Sequence, residues 1–306
     1  MSSPFAALRR RLTLAGGRAA TTAFDLAPRV PEGASAPSAR VVEPPLAHHA
    51  IGERVAWTDD VAFLDGTQHI ELVGYIGTDP VIAAVVRAAV RVRRDRRTSI
   101  AAEAVRRVVV GRASALAALG RSVEPYAAIP IVTDDPPHPV HDLERGHAVV
   151  DRARASLEAS VAKTFRAAHD CWLIADGTLA LSPDWTTDRR MIGVVKSHGV
   201  LPFTGAELEV YLTLPAAHRT SVFAIGSRPD AAIHAWALRL WPWDGHDLFH
   251  GLVRVEVAAG DGSLASADRL SRFLLAERSP VTSQPRADRL LYGIHDVGRY
   301  LRAREA

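Results

Sequence analysis

Two apolar runs of this chain close on the same three residues, Phe63-Leu64-Asp65-Gly66-Thr67 and Leu173-Ile174-Ala175-Asp176-Gly177-Thr178. Each sets a carboxylate where a buried strand would stop and a glycine-permitted turn would begin. Two strand-end aspartates so far apart in sequence converge only where their strands are neighbours in one sheet. Converging carboxylates repel, so a divalent cation is the natural group to hold them together. Taken singly, an aspartate before glycine is also an ordinary turn former. Two further Asp-Gly pairs, starting at 244 and 261, show how common the dipeptide is.

The composition leaves such a sheet room to form. The chain has 306 residues, 48% hydrophobic and 23% charged, which is enough for one large domain or two small ones with a normal core. A net charge of +3 with a pI of about 9.3 does not identify a nucleic-acid binder, because clustering decides. Arg91–Arg97 is a local basic cluster, read either as a nucleic-acid contact or as a solvated helix end. The single cysteine, Cys171, lies in an apolar run. It excludes an internal disulfide and a cysteine-rich zinc site, and it reads as a small buried hydrophobe. Arg9, Arg10 and Arg11 near the start are followed by no apolar segment with a cleavage site, and no stretch suits a bilayer span. The expected location is cytoplasmic, with no membrane partner.

Residues 4–24 suit a short amphipathic helix, and residues 27–46, with Pro28, Pro31, Pro37, Pro44 and Pro45, an extended arm. The expected division is an arm over 1–56 and one domain over 57–306, compact from near Trp57. Val61–Leu64 reads as a strand, His69–Gly77 as a second, antiparallel one after a tight turn, and Val81–Val92 as a third. Residues 98–119 read as a helix capped by Thr98 or Ser99. Val149, Ala153, Leu157, Val161 and Phe165 repeat at helical spacing within Asp142–His169. Strands follow at Cys171–Ala175 and at Met191–Val195, the latter closed by Lys196. Leu208–Leu214 suits helix or strand; Ser221–Ala224, Ala235–Leu240 and Leu252–Val257 read as strands, and Ala265–Glu277 and Leu290–Arg302 as helices.

That order, with a long helix bearing Glu158 between the two aspartate strands, resembles an RNase H-like α/β core: a central mixed β-sheet flanked by helices, with acids at strand ends. Over about residues 60–300 the chain also resembles the NurA nucleases, which work beside the HerA hexameric DNA translocase. The resemblance is carried by Asp-Gly-Thr at 65–67, Glu158 on the preceding helix, Asp-Gly-Thr-Leu at 176–179, Ile-Gly-Val-Val-Lys at 192–196, Val-Arg-Val-Glu-Val at 253–257 and Leu-Leu-Tyr at 290–292. It implies a Mn²⁺- or Mg²⁺-dependent DNA nuclease, exonucleolytic with endonucleolytic cleavage of single strands as a second option, with its metal between Asp65, Glu158 and Asp176. It further implies a homodimer docked on a HerA-type hexameric ATPase, acting in DNA end processing or defence. The family places a tyrosine, and two helical turns later a histidine, near the site. Tyr292 fits the tyrosine; the histidine's place falls at Tyr300, and the nearest imidazole is His295.

Phosphodiester hydrolysis needs an activated water and stabilisation of the phosphoryl and leaving oxygens, which carboxylate-held metal can supply. Mg²⁺ and Mn²⁺ prefer the oxygen ligands that Asp and Glu offer. Lys196, at a neighbouring strand end, is placed to neutralise the scissile phosphate, and Tyr292 to donate to it. Structural alternatives stand beside each: Glu158 as a solvated helix residue with Glu144 as rival acid, Lys196 as a strand-edge charge, Tyr292 as a core aromatic, His295 as a surface residue. His138, His141 and His147 suit a surface loop running into a helix better than a metal cluster. Glu256 suits a structural ion pair, and Trp241 and Trp243 suit packing better than base stacking. No Gly-x4-Gly-Lys-Ser/Thr loop is present, so ATP-driven motion would come from a partner. The competing functions are a non-catalytic DNA-clamping adaptor of the translocase and another RNase H-like nuclease.

Overall fold

The computed structural model describes residues 4–20, 39–225, 232–260, 262–282 and 287–304, and of 121 and 122 the backbone only. Its strands, in chain order, are β1 Arg18–Ala19, β2 Ala39–Val41, β3 His48–Ala50, β4 Val61–Ile76, β5 Asp79–Arg94, β6 Arg97–Gly111, β7 Ala127–Pro130, β8 Trp172–Asp176, β9 Met191–Val195, β10 His218–Thr220, β11 Phe223–Ile225, β12 Ile233–Arg239 and β13 Leu252–Ala258. Its helices are α1 Ala6–Leu14, α2 Ala113–Leu119, α3 Pro139–Arg166, α4 Pro183–Thr187, α5 Gly205–Leu212, α6 Gly262–Glu277 and α7 Tyr292–Ala303. The chain is mixed α/β and forms two compact units. The first takes the described parts of 1–28, 66–89 and 102–163; the second takes those of 29–65, 90–101 and 164–306. Among the described residues no helix is long and apolar enough to cross a membrane.

In the second unit the strands run in the order β2-β11-β12-β13-β9-β8-β4, the last through its first residues. β4, β8 and β9 are parallel, Val61–Leu64 beside Trp172–Ala175 and Leu173–Asp176 beside Met191–Val194, and β13 runs antiparallel to β9. Parallel strands covered on both faces read as unbroken apolar runs, and Val61–Leu64 and Leu173–Ala175 are buried throughout. β2 pairs β11 and β3 pairs β10. The expected arm over 27–46 joins the sheet through Ala39–Val41 in its described part, and residues 27–38 lie outside the described residues. Arg219, 4% exposed, fastens this segment: it donates to both Glu43 oxygens at 2.7 and 3.1 Å and to Asp268 at 2.5 Å.

In the first unit, β4 from Gly66 pairs with β1, and β6 lies parallel to β7, Val108–Gly111 beside Ala127–Pro130. Phe5, which precedes α1, and Leu8 and Leu12 on one face of it are buried with Val73, Val81 and Leu116. The expected helix over 4–24 is thus a core element over Ala6–Leu14, stopping before Gly16 at φ +84°; residues 21–24 lie outside the described residues.

Two elements differ from the sequence reading. Val61–Leu64 and His69–Gly77 are the two ends of one strand, so Asp65-Gly66-Thr67 is strand interior and no turn. Gly66 is there for space, because a Cβ on it would stand 2.1 Å from Glu158 Oε1, the close approach that glycine inside a strand often marks. Residues 98–119 are strand to Gly111 and helix only over Ala113–Leu119. Alanine, arginine and glutamate favour a helix there, but Thr98, Ile100, Val105 and Val108–Val110 suit the ladder, and pairing overrides local propensity.

The arginine cluster is a hairpin end, not a helix end. Asp95 and Arg96 take φ of +49° and +62° between β5 and β6, as a tight two-residue hairpin loop requires. Much of its charge is spent on the second unit's own acids: Arg91 on Asp296 at 2.7 Å, Arg93 on Glu277 at 2.5 Å and Arg94 on Asp60 at 2.6 Å.

In the first unit Asp142, wholly buried near the start of α3, accepts from Arg112 at 2.7 and 3.0 Å, from the His138 amide at 3.2 Å and from Arg145 at 3.3 Å. Burial pushes its carboxyl up, but the Arg112 guanidinium and the other donors outweigh this and hold it below the usual aspartate value. Its folded value lies under its unfolded one, so the stabilisation is whole above the unfolded value of about 4 and is lost as pH falls through the folded one. Urea midpoints between pH 7 and pH 2 are expected to stay level to about pH 4 and then fall, with a smaller acid drop in an Asp142→Asn variant.

Candidate functional site

Asp176 is the last residue of β8, and Gly177 at φ +123° takes the chain off the sheet. That turn is pinned from β13. Glu256, wholly buried, accepts the Thr178 hydroxyl at 2.7 Å and the Leu179 amide at 2.9 Å, and Arg254 holds it at 2.8 Å. The structural ion pair expected for Glu256 thus also fixes the turn behind Asp176. On the other side β9 sets Val194 level with Asp176. Lys196 stands two residues further on the same face, and its Nζ meets Asp176 Oδ2 at 2.7 Å. The Arg289 guanidinium donates to the Lys196 carbonyl at 2.9 Å, holding the end of β9 in place. Lys163 and Lys196 are the only lysines in a chain otherwise charged by arginine.

Leu64 stands level with Ala175, so the next step sets Asp65 level with Asp176. Level residues on adjacent parallel strands face the same side at a strand spacing of about 4.8 Å. β8 ends there, whereas β4 runs on. The Asp65 side chain reaches α7 at Gly298, where a Cβ would stand 2.7 Å from Oδ2. Two residues back, Phe63 packs on α7 in the same way, 2.3 Å from a Cβ on Gly293. The guanidinium of Arg302, one turn beyond Gly298, comes within 3.3 Å of the same Cβ point as Asp65.

α7 also carries His295 and Tyr292. His295 is pushed below its ordinary value by burial first, then by Arg302 and Arg299, with Lys196 adding to the effect and Asp296 opposing it. Tyr292, the first residue of the helix, is 56% exposed, which removes the core-aromatic alternative. Tyr300, where the histidine of the resemblance would stand, has the guanidinium groups of Arg91 and Arg304 over its ring, at 5.3 and 4.9 Å from its centre.

Glu158 belongs to the first unit. It is 2% exposed, receives Arg154 at 2.5 Å and lies against Gly66. Successive residues of a strand present opposite faces, so Glu158 meets β4 on its Gly66 face. Gln68 shares that face and bonds Arg154 and Asp151 of α3. The burial removes the solvated-residue alternative for Glu158. Its rival Glu144 lies about four helical turns away on α3. His138 and His141 stack on one another at 4.1 Å at the start of α3. Among the described residues no group of three or more His, Cys, Asp or Glu side chains is gathered to hold a metal. Trp241 packs under the Arg278 guanidinium at 3.9 Å and Trp243 near Arg239 at 5.9 Å. Cys171 is half-buried, and burial raises its thiol.

Sequence reasoning passes over Arg302 and Arg289. The signal for Arg302 is spacing, four residues from Gly298 and seven from His295 on one helix. Arg289 has no such signal, since its role depends on the end of β9 arriving beside it.

No family model matches this chain, and no curated protein matches it. Among solved structures, the NurA nuclease from Sulfolobus solfataricus is similar over 81% of this chain and 80% of that one, with a TM-score of 0.44 and 9% sequence identity.

Proposed function

We propose that this chain is a divalent-metal-dependent nuclease that hydrolyses phosphodiester bonds of DNA. The observation that carries the reading is the register of the parallel strands β4 and β8, Leu64 beside Ala175 with Asp65 and Asp176 next along each strand, together with Lys196 at 2.7 Å from Asp176. Two carboxylates on one side of a sheet edge suit Mg²⁺ or Mn²⁺, ions held by one or two carboxylates with water and phosphate oxygens completing the shell. Glu158, the third acid of the resemblance, meets β4 on its Gly66 face and takes no part in this arrangement. A bound cation supplies Lewis-acid stabilisation of the phosphoryl oxygens. Lys196 brings positive charge to the phosphate, and the exposed Tyr292 phenol donates to it. The imidazole of His295 can take a proton from the attacking water. The reading extends, on the same resemblance, to a homodimer and a HerA-type hexameric ATPase partner.

The test is a cleavage assay with purified protein, end-labelled single- and double-stranded DNA, and Mn²⁺ or Mg²⁺. Cleavage that EDTA abolishes supports the reading. DNA binding without cleavage in either metal assigns the chain instead to the clamping-adaptor role, which the tyrosine at position 300 favours. Preference for an RNA–DNA hybrid would assign another RNase H-like nuclease.

A further inference from the structure

The acids of this sheet edge do not stand alone. Asp176 carries the ammonium of Lys196 at 2.7 Å, and Asp65 Oδ2 and both Arg302 amino groups lie within 3.3 Å of one point, the place of a Gly298 Cβ. A cation near the end of a helix is ordinarily explained by the helix dipole. Arg302, however, turns back by one helical turn toward Gly298 instead of reaching past the C-terminus, and it helps lower the pKa of His295. Gly298 makes the approach possible, because a side chain there would displace the carboxylate, the guanidinium or both.

We propose that Arg302 is a phosphate-gripping residue of this edge. It balances the charge of Asp65 while the acids are without a divalent ion, and it turns its guanidinium to a phosphodiester oxygen when an ion takes over the carboxylate. The inference rests on the nuclease reading above and names a residue that reading does not include. The electrostatics require the exchange. A divalent ion brought to Asp65 and Asp176 repels the two cations beside them, while a phosphate anion attracts both. A planar guanidinium fits two phosphate oxygens at once.

The experiment compares wild type, Arg302→Gln and Arg302→Lys, all shown to be folded by circular dichroism and melting. Mn²⁺ binding is followed by electron paramagnetic resonance without DNA. Binding of a fluorescent single-stranded oligonucleotide is followed in EDTA and in Ca²⁺ across salt concentrations. Arg302→Gln is expected to bind Mn²⁺ several-fold more tightly than wild type, because a competing cation is gone. It is also expected to bind the oligonucleotide in Ca²⁺ at least about five-fold more weakly, with the slope of log K against log salt reduced by about 0.7, the value of one phosphate contact. Arg302→Lys should restore most of that slope. Unchanged Mn²⁺ affinity together with an unchanged salt slope would overturn the proposal and leave Arg302 as a dipole charge. If wild type cleaves in a metal-dependent way while Arg302→Gln matches it in every reading, only this inference fails. If wild type binds neither Mn²⁺ nor the oligonucleotide, the nuclease reading fails and this inference with it.

Discussion

Replacing Asp176 by Asn, or Asp65 by Asn, is expected to lower metal-dependent cleavage by on the order of 10³-fold or more while the fold stays intact. Asparagine keeps the size of the side chain and loses the charge that would draw a divalent ion to Asp65 within β4 and Asp176 at the end of β8. The two positions act as a unit, so the double variant is expected to lose little more than either single one. The fold survives because the turn after Asp176 is held by Glu256 through Thr178 and Leu179, not by the aspartate. In the Asp176 variant Lys196 loses a charged partner at 2.7 Å, but the asparagine carbonyl oxygen can still accept from its ammonium. Single-turnover cleavage in Mn²⁺, read beside thermal melts of each variant, checks both halves. A tenfold loss or less in both single variants would show that these carboxylates do not hold the ion.

The largest expected effect on stability lies in the first unit. Arg112→Ala leaves Asp142 buried with its bidentate partner removed, and breaking such a pair from one side costs about 3–5 kcal/mol. Arg145 at 3.3 Å and the His138 amide remain and keep the cost from rising further. Arg112 also donates to the Asp135 and Pro136 carbonyls at 3.0 Å, so the loop leading into α3 loosens as well. A cycle with Asp142→Asn separates the charge from the loop contacts: the double variant is expected to lose clearly less than the sum of the singles. Equilibrium urea unfolding at pH 7 measures this, and a loss under about 1 kcal/mol for Arg112→Ala would contradict it.

Much of the sheet edge was legible in the sequence because it is built from local patterns. Met191–Val195 closed by Lys196 is read straight off an apolar run and its first charge, and Asp176-Gly177 off a strand end that needs a positive φ. Asp65-Gly66 has the same letters and a different cause. There the glycine answers to Glu158, 92 residues later and on another element, and a close approach of that kind leaves no local mark. The helix expected over 98–119 failed for a related reason, since alanine-rich sequence is helical only until a neighbouring strand offers it a ladder. The arginine cluster was visible as charge, but its use on Asp296, Glu277 and Asp60 depends on where the hairpin lands. Arg302 escaped because nothing marks a helix-end arginine until Gly298 is known to lie against Asp65.

The central claim is that Asp65 and Asp176 together hold one divalent ion. Titrating the full chain with Mn²⁺ under electron paramagnetic resonance, wild type against Asp65→Asn and Asp176→Asn, tests it without depending on any substrate. The account predicts one tight site per chain in wild type and its loss in each variant. An equally tight site in all three proteins, or none in wild type, would contradict it.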